Sequence, residues 1–316
     1  MTKLERPVRQ EDIAVRILDK HADVIEAALT SRFPRVRVSR EPLPGAAPFR
    51  VLISFRPPAD EKLDQYHWVH STGAGVDAIC AGLTETSEPP VITRTTGRMG
   101  EQIAEYCLAY ALGFLQRKAL RDELQAARIW GKGEAAPRFL FGSKVAIIGT
   151  GDIGAAIGRA FAALGAEVAG YSRSGKAVAG LGKVRTLKNA DGLSGMDVVI
   201  LALPSTAATE GLVSDELLSG LSGTLLINIG RGSTLDTKAL RRALEEGKVS
   251  RAVLDVFEEE PLPHDDWRWA HPQVTVTPHV AGLTLPDDAV NRFCELLEDF
   301  LETGNLPPSL DPDRGY

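Results

Sequence analysis

An α/β protein with two doubly wound parallel sheets is predicted by three observations. Short β-branched runs alternate with amphipathic helical stretches almost throughout, the runs fall into two series parted by a long helical stretch, and a glycine-rich turn opens the second series. The first series places strands at Ile13–Leu18, Val36–Ser39, Arg50–Phe55 and Trp68–Ser71, with helical stretches near His21–Phe33 and Val76–Leu83, and ends near Thr93. The dividing stretch, Gly100 to Trp130, contains few helix breakers and is expected to be one helix. The second series supplies six strands, at Lys144–Gly149, Glu167–Tyr171, Asp197–Leu203, Thr224–Ile229, Arg251–Phe257 and Val274–Thr277, which suits a dinucleotide-binding sheet. A last helix, Asp287 to Leu301, follows Pro286 and precedes the polar tail Pro307–Tyr316.

The composition narrows the class of function. Of 316 residues, 44% are apolar and 25% charged, an ordinary globular balance with length for about two domains. Cys80, Cys107 and Cys294 lie far apart, with no CxxC or Cys/His ligand spacing, so neither a disulfide framework nor a metal site is expected. The N-terminal residues Met1 to Arg6 carry mixed charges without an apolar stretch, which reads as no signal peptide. The longest apolar run, Tyr106 to Leu115, is too short to span a bilayer. A net charge of −6 gives no general attraction for nucleic acid or anionic lipid. The expectation is a cytoplasmic protein that handles a small molecule and has neither a nucleic-acid nor a membrane partner.

Gly149, Thr150, Gly151, Asp152, Ile153 and Gly154 follow the apolar strand Val145-Ala146-Ile147-Ile148 and open a helix with Ile157, Phe161 and Leu164 at helical spacing. In that setting GxGxxG predicts a pyrophosphate site, its charge met by backbone N–H groups and the positive end of the helix dipole. The next strand ends Tyr171-Ser172-Arg173-Ser174, with Lys176 nearby. An acid there would bind ribose hydroxyls and repel a 2′-phosphate; its replacement by a guanidinium, two hydroxyls and an ammonium predicts NADP(H) in preference to NAD(H). The alternative, that Arg173 and Lys176 are solvated loop cations, stays open.

Three later segments carry a resemblance. Asn228-Ile229-Gly230-Arg231-Gly232-Ser233, then Leu254 to Leu262, then Thr277-Pro278-His279-Val280-Ala281-Gly282 resemble, in order, the signature segments of the D-2-hydroxyacid dehydrogenases. The resemblance implies a Rossmann cofactor domain, about 98–285, inserted in a flavodoxin-like substrate domain, 1–97 plus 286–316, with the site in the cleft between them. It implies that Arg231 binds substrate, Glu260 is the acidic partner and His279 the acid/base, with Asp255 near the nicotinamide. Leu203, Pro204 and Ile229, at strand ends of the second series, are assigned to the cofactor as well.

The chemistry asks for the same side chains. Reducing a 2-keto acid places hydride on carbon and a proton on oxygen, and a histidine titrates in the range that such a donor needs. A carboxylate such as Glu260 would favour the imidazolium and fix its orientation, while Arg231 can fork onto the substrate carboxylate and polarise the carbonyl. Singly, a Gly-Arg-Gly turn, an acidic run and a Pro-His are more often structural; three in this order are not.

In the first series, His70-Ser71-Thr72-Gly73-Ala74-Gly75-Val76-Asp77 resembles the family's substrate-carboxylate loop, and the N–H groups of Gly73, Ala74 and Gly75 could form an anion nest. The family's Asn-x-x-Gly is altered to Arg94-Thr95-Thr96-Gly97, with Met99 where an apolar residue faces the nicotinamide. Arg56, between a strand and Pro57-Pro58, is a candidate for contact with the C2 substituent of the substrate. The Ser-Arg-Ser segment and Phe55-Arg56-Pro57-Pro58 look most like NADPH-linked glyoxylate/hydroxypyruvate reductases, and Glu260 argues against formate dehydrogenases, which carry glutamine there. Surplus apolar residues in the dividing stretch (Ile103, Tyr106, Cys107, Tyr110, Phe114 and Leu115) predict a homodimer. A nucleotide-sensing regulatory protein of the same fold is the alternative function.

Overall fold

The computed structural model describes residues 8–44, 47–83, 88–187 and 190–311. The N-terminal segment read for a leader and the last five residues of the tail lie outside the described residues. The chain forms two units, Met1–Arg98 with Thr284–Tyr316, and Met99–Leu283.

In the first unit five strands, β1 (Ile13–Leu18), β2 (Arg37–Ser39), β3 (Phe49–Ser54), β4 (Trp68–Ser71) and β5 (Val91–Arg94), pair in parallel in the order β2-β1-β3-β4-β5. The near-continuous apolar runs of β1, β3 and β4 are buried on both faces, as the interior of an all-parallel sheet requires, whereas the edge strand β2 is only partly covered. One face packs on α1 (Ala22–Arg32) and on the last helix, α8 (Pro286–Thr303), whose Ala289, Val290, Phe293, Leu297 and Phe300 recur at helical spacing. Phe293 sits 5.0 Å from the Trp68 ring and Phe300 4.9 Å from Phe49. Pro286 opens α8 and Gly304, at φ 69°, closes it. The other face covers Tyr66, Val76 and Ile79, the last in the short helix α2 (Asp77–Gly82). Beyond the edge strand β5, the tail is tied down: Leu310 N–H donates to Ile92 O at 2.9 Å and Ile92 N–H to Ser309 Oγ at 3.0 Å.

The second unit holds a seven-stranded parallel sheet in the order β12-β11-β10-β9-β6-β7-β8. Its strands are β6 (Lys144–Ile148), β7 (Glu167–Ser172), β8 (Lys183–Thr186), β9 (Val198–Leu201), β10 (Thr224–Asn228), β11 (Val249–Leu254) and β12 (Val274–Val276). The chain winds outward in both directions from β6, which makes the β6–β9 junction the switch point beside which such sheets bind ligands. α3 (Met99–Leu115) and α5 (Asp152–Ala163) cover one face, and α6 (Asp215–Ser219) and α7 (Thr237–Glu245) the other.

Three elements differ from the sequence expectation. The sheet has seven strands rather than six, because Lys183-Val184-Arg185-Thr186 forms an edge strand whose single apolar residue gives no alternation. β5 adds a fifth strand to the first series. The stretch Gly100–Trp130 is two helices, α3 and α4 (Lys118–Ala126), parted at Arg117, whose backbone is left-handed at φ 52°. No glycine or proline marks that break. It is made by the returning loop: Arg138 N–H takes the carbonyl of Leu115 at 2.9 Å, and the Arg117 and Arg121 guanidiniums bind the carbonyls of Glu134 and Ala135. Among the described residues no helix is long and apolar enough to cross a membrane, and no group of His, Cys, Asp or Glu could hold a metal ion.

Candidate active site

The turn between β6 and α5 has the form a dinucleotide needs. Gly149 lies at φ +99°, closed to L side chains, and a Cβ on Gly154 would fall 1.9 Å from Gly149 O, so the turn tolerates only glycine at both positions. A Cβ on Gly151, by contrast, would meet nothing within 4 Å, leaving open space over the first turn of α5. Backbone N–H groups at the helix start, with that space above them, fit a pyrophosphate. Leu203 is buried just past β9, and Ile229 just past β10. At the end of β7, Ser172 Oγ accepts from Gly175 N–H at 3.1 Å and Ser174 Oγ from Lys176 N–H at 3.3 Å, so both hydroxyls brace a tight turn that presents Arg173 and Lys176 to solvent.

The three signature segments leave the ends of neighbouring strands. After β10, Asn228 fixes the arginine turn: its Oδ1 accepts from Gly230 N–H at 3.1 Å, and its Nδ2 donates to Arg231 O at 3.2 Å. Arg231 Nη1 lies on Gly230 O at 2.7 Å. Gly232 then presses on the next segment, since a Cβ there would stand 2.0 Å from the backbone carbon of Phe257. Close approach at this position couples the arginine turn to the loop that carries the acid. After β11 that loop folds over itself, Glu260 Oε1 accepting from Phe257 N–H at 2.9 Å. Its other oxygen, Oε2, meets His279 Nδ1 at 2.7 Å. With Nδ1 on the carboxylate, Nε2 is the ring atom left to serve a substrate; both groups remain partly exposed, 36% for Glu260 and 47% for His279.

His279 stands in left-handed backbone at φ 54°, which is uncommon outside glycine. Asp255 imposes it. Its backbone carbonyl accepts from His279 N–H at 2.9 Å, and its buried carboxylate accepts from Thr277 Oγ1 at 2.6 Å and from the N–H groups of Val280 and Ala281, both at 2.9 Å. The side chain read as lying near the nicotinamide is thus committed to the histidine turn.

The first unit holds the candidate anion loop and Arg56, whereas Met99 opens α3 in the second unit. Ser71 Oγ bridges the carbonyls of Gly73 and Gly75 and accepts from Gly73 N–H at 3.3 Å, while Arg94 Nη1 donates to Ala74 O at 3.0 Å, so the proposed anion loop is braced from both sides. His70 in the preceding strand is no acid/base: complete burial, with Arg292 adding to it, pushes its imidazole down to about 3, and Thr93 and Thr95 hydroxyls occupy both ring nitrogens. Arg56 is exposed, its N–H and carbonyl both held by the Ser54 hydroxyl. Its neighbour Phe55, given no role by sequence reasoning, lies on the loop, for a Cβ on Gly73 would come within 2.6 Å of the Phe55 ring. The signal was available as an aromatic residue past a strand end. Thr277 and Tyr106 were also missed, the latter because it read as surplus apolar surface.

The chain is similar to known proteins along most of its length. The profile of the family described as D-isomer specific 2-hydroxyacid dehydrogenase, NAD binding domain, matches residues 108–281. Glyoxylate/hydroxypyruvate reductase A of Serratia proteamaculans is 32% identical over 92% of this chain and 95% of the relative. Among solved structures, a D-isomer specific 2-hydroxyacid dehydrogenase from Xanthobacter autotrophicus Py2, in complex with NADPH and MES, is 30% identical with a TM-score of 0.83, covering 96% of this chain and 99% of that one. An NADPH-dependent glyoxylate/hydroxypyruvate reductase from Sinorhizobium meliloti, in complex with NADP and sulfate, is 26% identical with a TM-score of 0.78 over the same shares.

Proposed function

Because the chain belongs to the D-isomer specific 2-hydroxyacid dehydrogenases, which are NAD(P)-dependent oxidoreductases, we propose that it reduces small 2-keto acids such as glyoxylate and hydroxypyruvate to D-2-hydroxy acids with NADPH. The observation that carries this reading is the His279–Glu260 pair at 2.7 Å, mounted on a turn built around Asp255. Glu260 holds the imidazole through Nδ1 so that Nε2 delivers a proton to the carbonyl oxygen of the substrate. Arg231 takes the substrate carboxylate and polarises the carbonyl; within the first unit, the loop Gly73–Gly75, whose Gly73 N–H is already taken by Ser71 Oγ, is read as an anion loop through the amides of Ala74 and Gly75. A bound reduced nicotinamide would supply the hydride. Gly149 to Gly154, with Leu203, Pro204 and Ile229, hold the dinucleotide, and Met99, at the start of α3, borders the reacting end.

The preference for NADPH rests on Arg173 and Lys176, both exposed at the end of β7 with no acid beside them, and is supported by relatives described with NADPH or NADP. Arg173→Ala is expected to weaken NADPH by about 1.5–3 kcal/mol, the loss of one charge-assisted phosphate contact, and to leave NADH nearly unchanged. Steady-state kinetics with both cofactors check it, and equal efficiency with NADPH and NADH in the unaltered protein would sink the preference. The same assay, run over a panel of 2-keto acids, tests the substrate class. Arg56 would disfavour an alkyl group on C2, which leaves a guanidinium poorly solvated, so hydroxypyruvate and glyoxylate should outrank 2-ketobutyrate in kcat/KM; the reverse ranking removes Arg56 from the site.

The proposal includes a homodimer. Ile103, Cys107 and Leu115 are buried within their own unit, so the argument passes from α3 to the exposed apolar residues around it. In the connection between α4 and β6, Ile129 (55% exposed), Trp130 (95%), Phe139 (51%) and Phe141 (65%) leave more apolar surface in solvent than a solvated connection calls for, and the Phe139 and Phe141 rings stack at 5.0 Å. Light scattering at micromolar concentration should return twice the mass of the chain; a monomer ends this reading.

A further inference from the structure

We propose that α3 is a second support for the acid/base histidine, with Tyr106 acting through Thr277 and Gln102 acting through Leu283 as positioning residues. This rests on the function proposed for His279. Tyr106 Oη lies 2.6 Å from Thr277 Oγ1, and Thr277 Oγ1 in turn donates to Asp255 Oδ1 at 2.6 Å. A hydroxyl has one proton, and Thr277 gives its own to the carboxylate, so Tyr106 is the donor in the first bond. Burial pushes the Tyr106 phenol well above its usual range, so it keeps that proton at every working pH. One helical turn earlier, Gln102 Oε1 accepts from Leu283 N–H at 2.9 Å, while its buried Nε2 has no hydrogen-bond partner among the described residues. The Gln102 amide is therefore oriented by the Leu283 bond.

Residues three and four apart share a helix face, and on the face that carries these two anchors Ile103 and Met99 pack in the same apolar cluster as Ala281. The segment 277–283 is thereby gripped at one end by Tyr106, in the middle by Asp255 and apolar contact, and at the other end by Gln102. Left-handed backbone at a histidine persists only where its surroundings over-determine it. Asp255 alone fixes residues 277, 280 and 281 relative to β11; α3 fixes the ends of the segment relative to a second element. Glu260 can orient an imidazole only on a backbone that does not shift, and proton delivery depends on that orientation.

Tyr106→Phe keeps the ring and removes the donor. With saturating NADPH and glyoxylate it should lower kcat about three- to tenfold, the worth of one hydrogen bond, with KM for both ligands little changed. The solvent deuterium isotope effect on kcat should rise, because poorly aimed proton delivery then limits turnover, a change that loss of packing alone does not produce. Thr277→Ser, which retains the relay, should behave as the parent. Thr277→Val should lose activity, and adding Tyr106→Phe to it should cost nothing more. Amide exchange in the unliganded protein gives a readout free of turnover: Val280 and Ala281 should exchange faster in Tyr106→Phe, and Leu283 faster in Gln102→Met. Parental kcat and isotope effect in Tyr106→Phe, additive losses in the double variant, or unchanged exchange across 280–283 would overturn the clamp. Failure of the unaltered protein to reduce any 2-keto acid would instead overturn the function, and amide exchange would still decide the clamp.

Discussion

His279→Ala is expected to lower kcat by about 10² to 10⁴, the usual cost of removing a general acid, while NADPH binds nearly as before. The dissociation follows from the geometry: the imidazole is held by Glu260 at 2.7 Å on the β12 side of the sheet, whereas the glycine turn that suits the pyrophosphate leaves β6. Because residue 279 sits at φ 54°, alanine changes the backbone preference as well as the chemistry. Asparagine tolerates left-handed backbone better, so His279→Asn separates the two effects. Similar losses in both variants assign the defect to the missing acid. Near-native turnover of either at neutral pH, measured with NADPH titrated by fluorescence, would remove His279 from the mechanism.

Asp255→Asn is the second large effect. The native carboxylate is 1% exposed and accepts three bonds, from the Thr277 hydroxyl and from Val280 and Ala281 N–H. An amide of the same shape offers one accepting oxygen, and its NH₂ must face a donor. Each buried group left unsatisfied costs about 1–3 kcal/mol, and the bonds that survive lose their charge assistance. A loss of about 2 kcal/mol corresponds to a fall in Tm of roughly 4–8 °C for a unit of this size. Turnover should fall further than stability implies, by about 10- to 100-fold, since the freed turn is the one that aims His279. Thermal melts and kcat together test it; an unchanged Tm with unchanged kcat would show that the turn holds without the carboxylate.

Much of this arrangement was legible in the chain because it is local. Val145 to Ile148 followed by Gly149-Thr150-Gly151 can hardly form anything but a buried strand feeding a tight turn, and the segments around Arg231, Glu260 and His279 mark themselves by residue type and order. The rest depends on contacts that sequence does not display. β8 is stabilised by pairing Ala169 to Ser172 with Lys183 to Thr186, and so needs no apolar pattern of its own. The break at Arg117 is imposed by residues about twenty positions later. Tyr106 has the spacing of a core residue, and only the folded chain shows its hydroxyl reaching Thr277, 171 residues away in sequence. Asp255 announces an acid, but not that its carboxylate is consumed by its own protein.

The strip formed by Ser309 and Leu310 along β5 bears on handling the protein. A parallel sheet that ends in bare peptide groups offers a template to any other chain with an open edge, and short covering segments are one of the means by which proteins suppress that pairing. Deleting the chain from Asn305 onward would strip the cover from Ile92 and expose the apolar cluster that Leu310 packs against. The damage would surface as turbidity on concentration and as self-association on storage, with freshly diluted protein still turning over. Tags, fusions and immobilisation chemistry therefore belong at the other terminus.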